Sequence, residues 1–143
     1  MKKMINNPEN IVNEMVSGML KAYPNSLRQV EDLPVIARKE KKDGKVALIS
    51  GGGSGHEPSH AGFVGCGMLD AAVAGEVFTS PSADKVYEAI KAVDSGAGVL
   101  LIIKNYSGDV MNFEMAAEMA GMEGIEVRKI IVNDDIAVEN STY

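Results

Sequence analysis

The chain has 143 residues, enough for one domain with its own core, and 45% hydrophobic against 24% charged residues excludes a disordered polymer. A net charge of −6 and an aromatic content of 5% weigh against a nucleic-acid surface. No apolar run approaches the ~20 residues of a membrane span, MKKMINNPEN lacks the apolar stretch of a secretory signal, and Cys66 has no second cysteine to pair with; a cytoplasmic protein is expected.

From the amino end, Asn7-Pro8 suits a helix start, and the pairs Ile11/Val12, Met15/Val16 and Met19/Leu20 recur every four residues, which predicts a helix over 8–22. A short strand is expected at Val35–Arg38, a turn at Lys42–Gly44 and a buried strand at Val46–Ser50. The basic ARKEKKDGK is interrupted by Glu40 and Asp43 and reads as a solvated turn. Residues 51–67 hold seven of the fifteen glycines and predict a loop, or a loop feeding a short helix. AAVAGEVF predicts a strand and SPSADKVYEAIKAV a helix closed by Gly96. GVLLII, Gly98–Ile103, is the clearest buried strand; KNYSGD is a turn, Val110–Met122 a helix and IEVRKIIV a further strand.

This alternation predicts an α/β domain with a mainly parallel or mixed sheet flanked by helices. In such sheets ligands bind beyond the carboxyl ends of the strands. The glycine segment and KNYSGD each follow a buried strand and precede a helix, so His56, Lys104 and Asp109 are expected to reach one ligand.

Three chemistries compete for the glycine segment. A phosphate loop needs a Lys-Ser/Thr after the glycines, which is missing, and the dinucleotide pattern fails where Pro58 replaces its last glycine. HEPSH spells the zinc-protease pattern, but that pattern needs both histidines one turn apart on a continuous helix, and Pro58 lies between them. No metal site is therefore expected. What remains is a backbone that glycine leaves open to hydroxyl or carbonyl oxygens. An imidazole can both accept and donate a proton at working pH, so His56 suits proton transfer, whereas His60 reads as a structural histidine. Asp109 fits a helix N-cap and a catalytic carboxylate alike. The nine methionines read as core filler.

At LISGGGSGHEPSHAGFVG, AGEVFTSP and LLIIKNYSGDVMNFEMA the chain resembles the dihydroxyacetone-binding subunit of dihydroxyacetone kinase, and the opening MKKMIN and the closing IVNDDIAVENSTY are similar to it as well. The resemblance implies that residues 1–143 are the N-terminal part of that subunit's first domain, whose other members are about twice as long or more. It implies that Gly53, Ser54, Gly55 and His56 line the ketone, that Lys104 contacts it and that Asp109 hydrogen-bonds a hydroxyl. His56 would accept the proton of the attacking hydroxyl, with Asp109 sharing that work. A further family histidine, which captures the carbonyl covalently, would lie beyond Tyr143, since His56 and His60 are the only histidines here. The phosphoryl donor, ADP or ATP with Mg, is expected on a partner: a nucleotide-binding L subunit fed by a phosphotransferase system, or an appended domain. A homodimer is implied. The rival reading is a non-catalytic, dihydroxyacetone-sensing paralogue acting on a transcription factor.

Overall fold

In the computed structural model, residues 3–133 are described. The Asn7 side chain accepts a hydrogen bond from the Glu9 N–H, Pro8 opens a 3₁₀ turn, and α1 runs from Ile11 to Ala22. Pro24 follows its end, where a proline cannot continue a helix. Strands β1 (Leu27–Gln29) and β2 (Val35–Arg38) form an antiparallel pair, and β2 lies antiparallel to β4 (Ala71–Val77). Strand β3 (Ala47–Ser54) pairs in parallel with both β4 and β5 (Val99–Lys104), and β6 (Val127–Val132) adds in parallel to β5. The result is a mixed six-stranded sheet of order β1-β2-β4-β3-β5-β6. Helices α2 (Ala83–Val93) and α3 (Ser107–Met122) complete the expected α/β architecture.

Strand periodicity divides the side chains between two layers. Val35, Ala37, Ile49, Val73, Leu101 and Ile103 pack against Val86 and Ile90 of α2 and Phe113 and Ala116 of α3. The alternate residues Leu27 and Ile36 pack against Val16, Met15 and Met19 of α1 on the opposite side.

Three expectations change. β1 was not anticipated. Only alternate residues of β5 are buried, because Leu100, Ile102 and Lys104 point to the less covered face. The glycines Gly51, Gly52 and Gly53 are not loop: they are buried members of β3, which continues to Ser54. The connection from there to β4 contains a 3₁₀ turn, Ala61–Phe63, and an isolated bridge between Val64 and Leu69. The closing motif from Asp134 onward lies outside the described residues.

Candidate functional site

Because β3, β4 and β5 are parallel neighbours, their three following segments converge on one edge of the sheet. Residues 55–60 leave β3, 78–82 join β4 to α2, and 105–106 join β5 to α3. The predicted gathering of the glycine segment and KNYSGD is met, and a third segment, which spacing had not placed there, completes the edge.

The glycines make this convergence possible by leaving out side chains. A Cβ on Gly51 would lie 2.5 Å from the Val73 carbonyl and 3.1 Å from the Phe113 ring. On Gly53 it would meet the Thr79 N–H nitrogen at 2.7 Å and the Phe78 carbonyl carbon at 2.9 Å. On Gly52 it would fall 2.6 Å from Lys104 Nζ and 3.3 Å from His60 Cε1. Gly53 therefore serves first to let the 78–79 backbone close on β3. Gly52 makes the slot in which the Lys104 head lies beside the His60 ring.

Lys104 ends β5 and reaches to 4.0 Å from Asp109 Oδ2. Asp109 sits in the first turn of α3, two residues inside the helix rather than at its N-cap, which is Tyr106. It is 2% exposed, and its Oδ1 has no hydrogen-bond partner. A buried carboxylate oxygen without a donor is costly, and Asp109 Oδ1 is such an atom. Gly108 belongs to the same construction: a Cβ there would lie 2.8 Å from Ser80 Oγ, and Asn112 Nδ2 donates to the Pro81 carbonyl at 2.8 Å, which ties α3 to the 78–82 segment.

HEPSH forms a turn, not a helix, so its histidines do not share a helical face. Among the described residues no three His, Cys, Asp or Glu side chains gather as a metal-binding group. His56 is exposed, and its ring meets Phe78 edge to face, centroids 5.2 Å apart. Glu57 turns back, its carboxylate accepting from the Gly55 N–H at 3.1 Å. His60, expected to be only structural, is half-buried behind the Lys104 head. Burial, the Lys104 ammonium and His56 together lower its pKa to about 4, against a smaller opposing effect of Glu57. It is a neutral ring at working pH.

Ser54 departs from its expected placement. It is buried, and its Oγ donates to the Gly75 carbonyl at 2.7 Å, where a register shift breaks the β3–β4 ladder. The crevice behind Gly52, Gly53, Ser54 and His60 has a volume of only about 10 Å³. That crevice is too small to hold even a three-carbon molecule. A cleft of about 500 Å³ between 23–27 and 61–66 is lined by none of His56, Lys104 or Asp109. Its size does not make it the site. Phe78, Ser80 and His60 are the neighbours that spacing missed; AGEVFTSP carried the only trace of the first two.

Fold and site together define an α/β domain with a mixed sheet whose carboxyl edge gathers the segments that carry His56, Lys104 and Asp109. The sequence pattern of the Dak1 domain matches residues 17–143, and the chain belongs to that family. Over 142 residues it is 65% identical to the PTS-dependent dihydroxyacetone kinase, dihydroxyacetone-binding subunit DhaK, of Lactococcus lactis, covering 99% of this chain and 43% of that one. The dihydroxyacetone kinase of C. freundii matches with a TM-score of 0.92 at 46% identity, over 99% of this chain and 27% of that chain. The dihydroxyacetone kinase operon co-activator DhaQ matches with a TM-score of 0.83 at 42% identity, over 91% of this chain and 40% of that chain. The chain spans less than half the length of these relatives.

Proposed function

We propose that residues 1–143 are the N-terminal part of a dihydroxyacetone-binding domain, and that the protein presents the ketone's hydroxyl for phosphorylation to dihydroxyacetone phosphate. The observation that carries this reading is the buried Asp109 carboxylate, whose Oδ1 has no donor and whose Oδ2 lies 4.0 Å from the Lys104 ammonium. A three-carbon dihydroxyketone offers the complementary set: a hydroxyl to donate to Asp109 and oxygens to accept from Lys104. His56, exposed at the same edge, takes the proton as the hydroxyl oxygen attacks phosphorus, and Asp109 holds and polarises that hydroxyl. Gly53 and Gly55 let Phe78 and Thr79 close on the outgoing end of β3, and Gly53, Ser54 and Gly55 face the ketone through their backbone in this reading.

The donor, ADP or ATP with Mg, belongs to a partner L subunit or domain in this reading. The name of the Lactococcus lactis relative favours a phosphotransferase-system source of phosphate. A cytoplasmic homodimer completes the proposal. The test uses the full-length protein with its nucleotide-bearing partner. Calorimetry compares dihydroxyacetone with glycerol, and a coupled assay measures dihydroxyacetone phosphate with a phosphotransferase-system donor and with ATP. Ketone binding with turnover supports the kinase; no ketone binding overturns it.

A second reading is favoured by the likeness to DhaQ, a co-activator. A sensing paralogue would bind the ketone without turning it over under either donor, and the same pair of assays separates the two.

A further inference from the structure

His56 is held by very little. Among the described residues its imidazole makes no hydrogen bond or ion pair, and its one ring contact is Phe78, with planes at 78° and centroids 5.2 Å apart. An exposed side chain without a hydrogen bond or ion pair depends on such a ring contact for its rotamer.

Phe78 itself has no evident folding role. It is 71% exposed, so its ring gains little from burial. Its φ is +53°, a left-handed conformation that a bulky side chain adopts only under strain and that glycine or asparagine fits better. Its Cε1 and Cζ lie where a Cβ on Gly55 would stand 2.9 Å away, so the ring is laid across β3's outgoing chain toward His56. The turn that carries it is firmly anchored: the Phe78 N–H donates to the Ser54 carbonyl at 2.8 Å and the Thr79 N–H to the Glu76 carbonyl at 2.9 Å. A strained, exposed aromatic on a rigid turn, touching the candidate base, is a rule broken locally for the benefit of the site.

We propose that Phe78 is a positioning residue for His56, fixing the imidazole over the carboxyl edge of the sheet so that its nitrogen faces the ligand hydroxyl. The ring reaches the ligand's chemistry only through His56. Its kinetic consequence rests on the kinase reading above; its geometric consequence does not.

The experiment compares Phe78→Asn and Phe78→Tyr in the full-length protein with its partner. Asn relieves the left-handed strain and removes the ring; Tyr keeps the ring. Phe78→Asn should melt at or above the parent's temperature, and His56 should react about two- to tenfold faster with diethyl pyrocarbonate, as mapped by mass spectrometry, while His60 does not change. Its kcat for dihydroxyacetone should fall by a similar factor at unchanged KM, and Phe78→Tyr should restore both values. Parent-like His56 reactivity in Phe78→Asn overturns the proposal, as does a Phe78→Tyr variant as impaired as Phe78→Asn. If the parent protein phosphorylates no ketone, the kinase reading fails, and the His56 reactivity still decides the role of Phe78.

Discussion

Asp70 and Asp109 are both interior carboxylates, 7% and 2% exposed, and the sheet treats them in opposite ways. Asp70 opens the amino end of β4. Arg38 Nη1 donates to its Oδ1 at 3.1 Å, and the Leu48 N–H at 2.8 Å and the Lys45 ammonium both donate to Oδ2. Burial pushes its pKa up, but the bonds from Lys45, the Leu48 N–H and Arg38 outweigh that and hold it below the ordinary carboxylate value. Asp109, more deeply buried, has one ammonium at 4.0 Å and an oxygen with nothing. Burial alone does not distinguish the two carboxylates; hydrogen-bond satisfaction does. The saturated carboxylate ties β2, β3 and β4 together at one end. The unsaturated one stands at the carboxyl edge with one oxygen unsatisfied.

The sharpest way to break this comparison is to neutralise Asp109. Asp109→Asn in the full-length protein with its partner should lower turnover by about 10–10²-fold, the worth of a hydrogen bond to a charged group that holds and polarises the hydroxyl. Its melting temperature should hold or rise, because the charge on a buried carboxylate with an unsatisfied oxygen has been removed. Asp70→Ala should behave in reverse. Stripping the common partner from two cations and an N–H should destabilise the fold by about 3 kcal/mol in urea titrations. Ketone affinity should be preserved in the fraction that remains folded. Equal stability losses in the two variants would erase the distinction.

A smaller effect tests how the carboxyl end is built. Gly53→Val introduces a Cβ 2.7 Å from a backbone nitrogen that cannot swing aside. It should destabilise by about 2 kcal/mol even without ligand. A variant with parent-like stability and weakened ketone binding would return Gly53 to a purely ligand-facing role.

Much of the scaffold was legible because it follows periodicity. The four-residue pairs in 8–22, VIAR and VLLII fall on α1, β2 and β5. The parallel order then brought Lys104 and Asp109 to one edge. The glycines were misplaced for a physical reason: their intrinsic preference opposes a strand, and the close approach of Val73, Lys104 and Phe78 overrides it. β1 is three residues long and draws its order from pairing with β2, a long-range effect. Asp109 carried a cap signature that fits one helical turn as well as another, and only the helix start at Ser107 decides between them. Phe78 was invisible because a positive φ leaves no mark when the residue there is not glycine.

The last prediction concerns His60, whose burial beside Lys104 no spacing revealed. In the native state its pKa is lowered to about 4 by burial first, then by Lys104 and His56, with Glu57 opposing; in the unfolded chain it returns to 6.5. Above pH 6.5 both states hold a neutral ring and the full stability is present. As the pH falls from 6.5 through 4 the unfolded chain takes up a proton that the native state refuses, so stability is lost across that window; below 4 both are protonated and the slope ends. Because the ring is only half-buried, solvent screening reduces the loss to on the order of 1–2 kcal/mol. Urea unfolding at pH 7.5, 6 and 5 measures it. His60→Gln, which cannot titrate, should flatten this part of the profile. Lys104→Met, which removes the ammonium but leaves the burial, should flatten it only in part. An unchanged slope in His60→Gln would show that the proton is taken up elsewhere and that His60 is not the neutral wall behind Lys104.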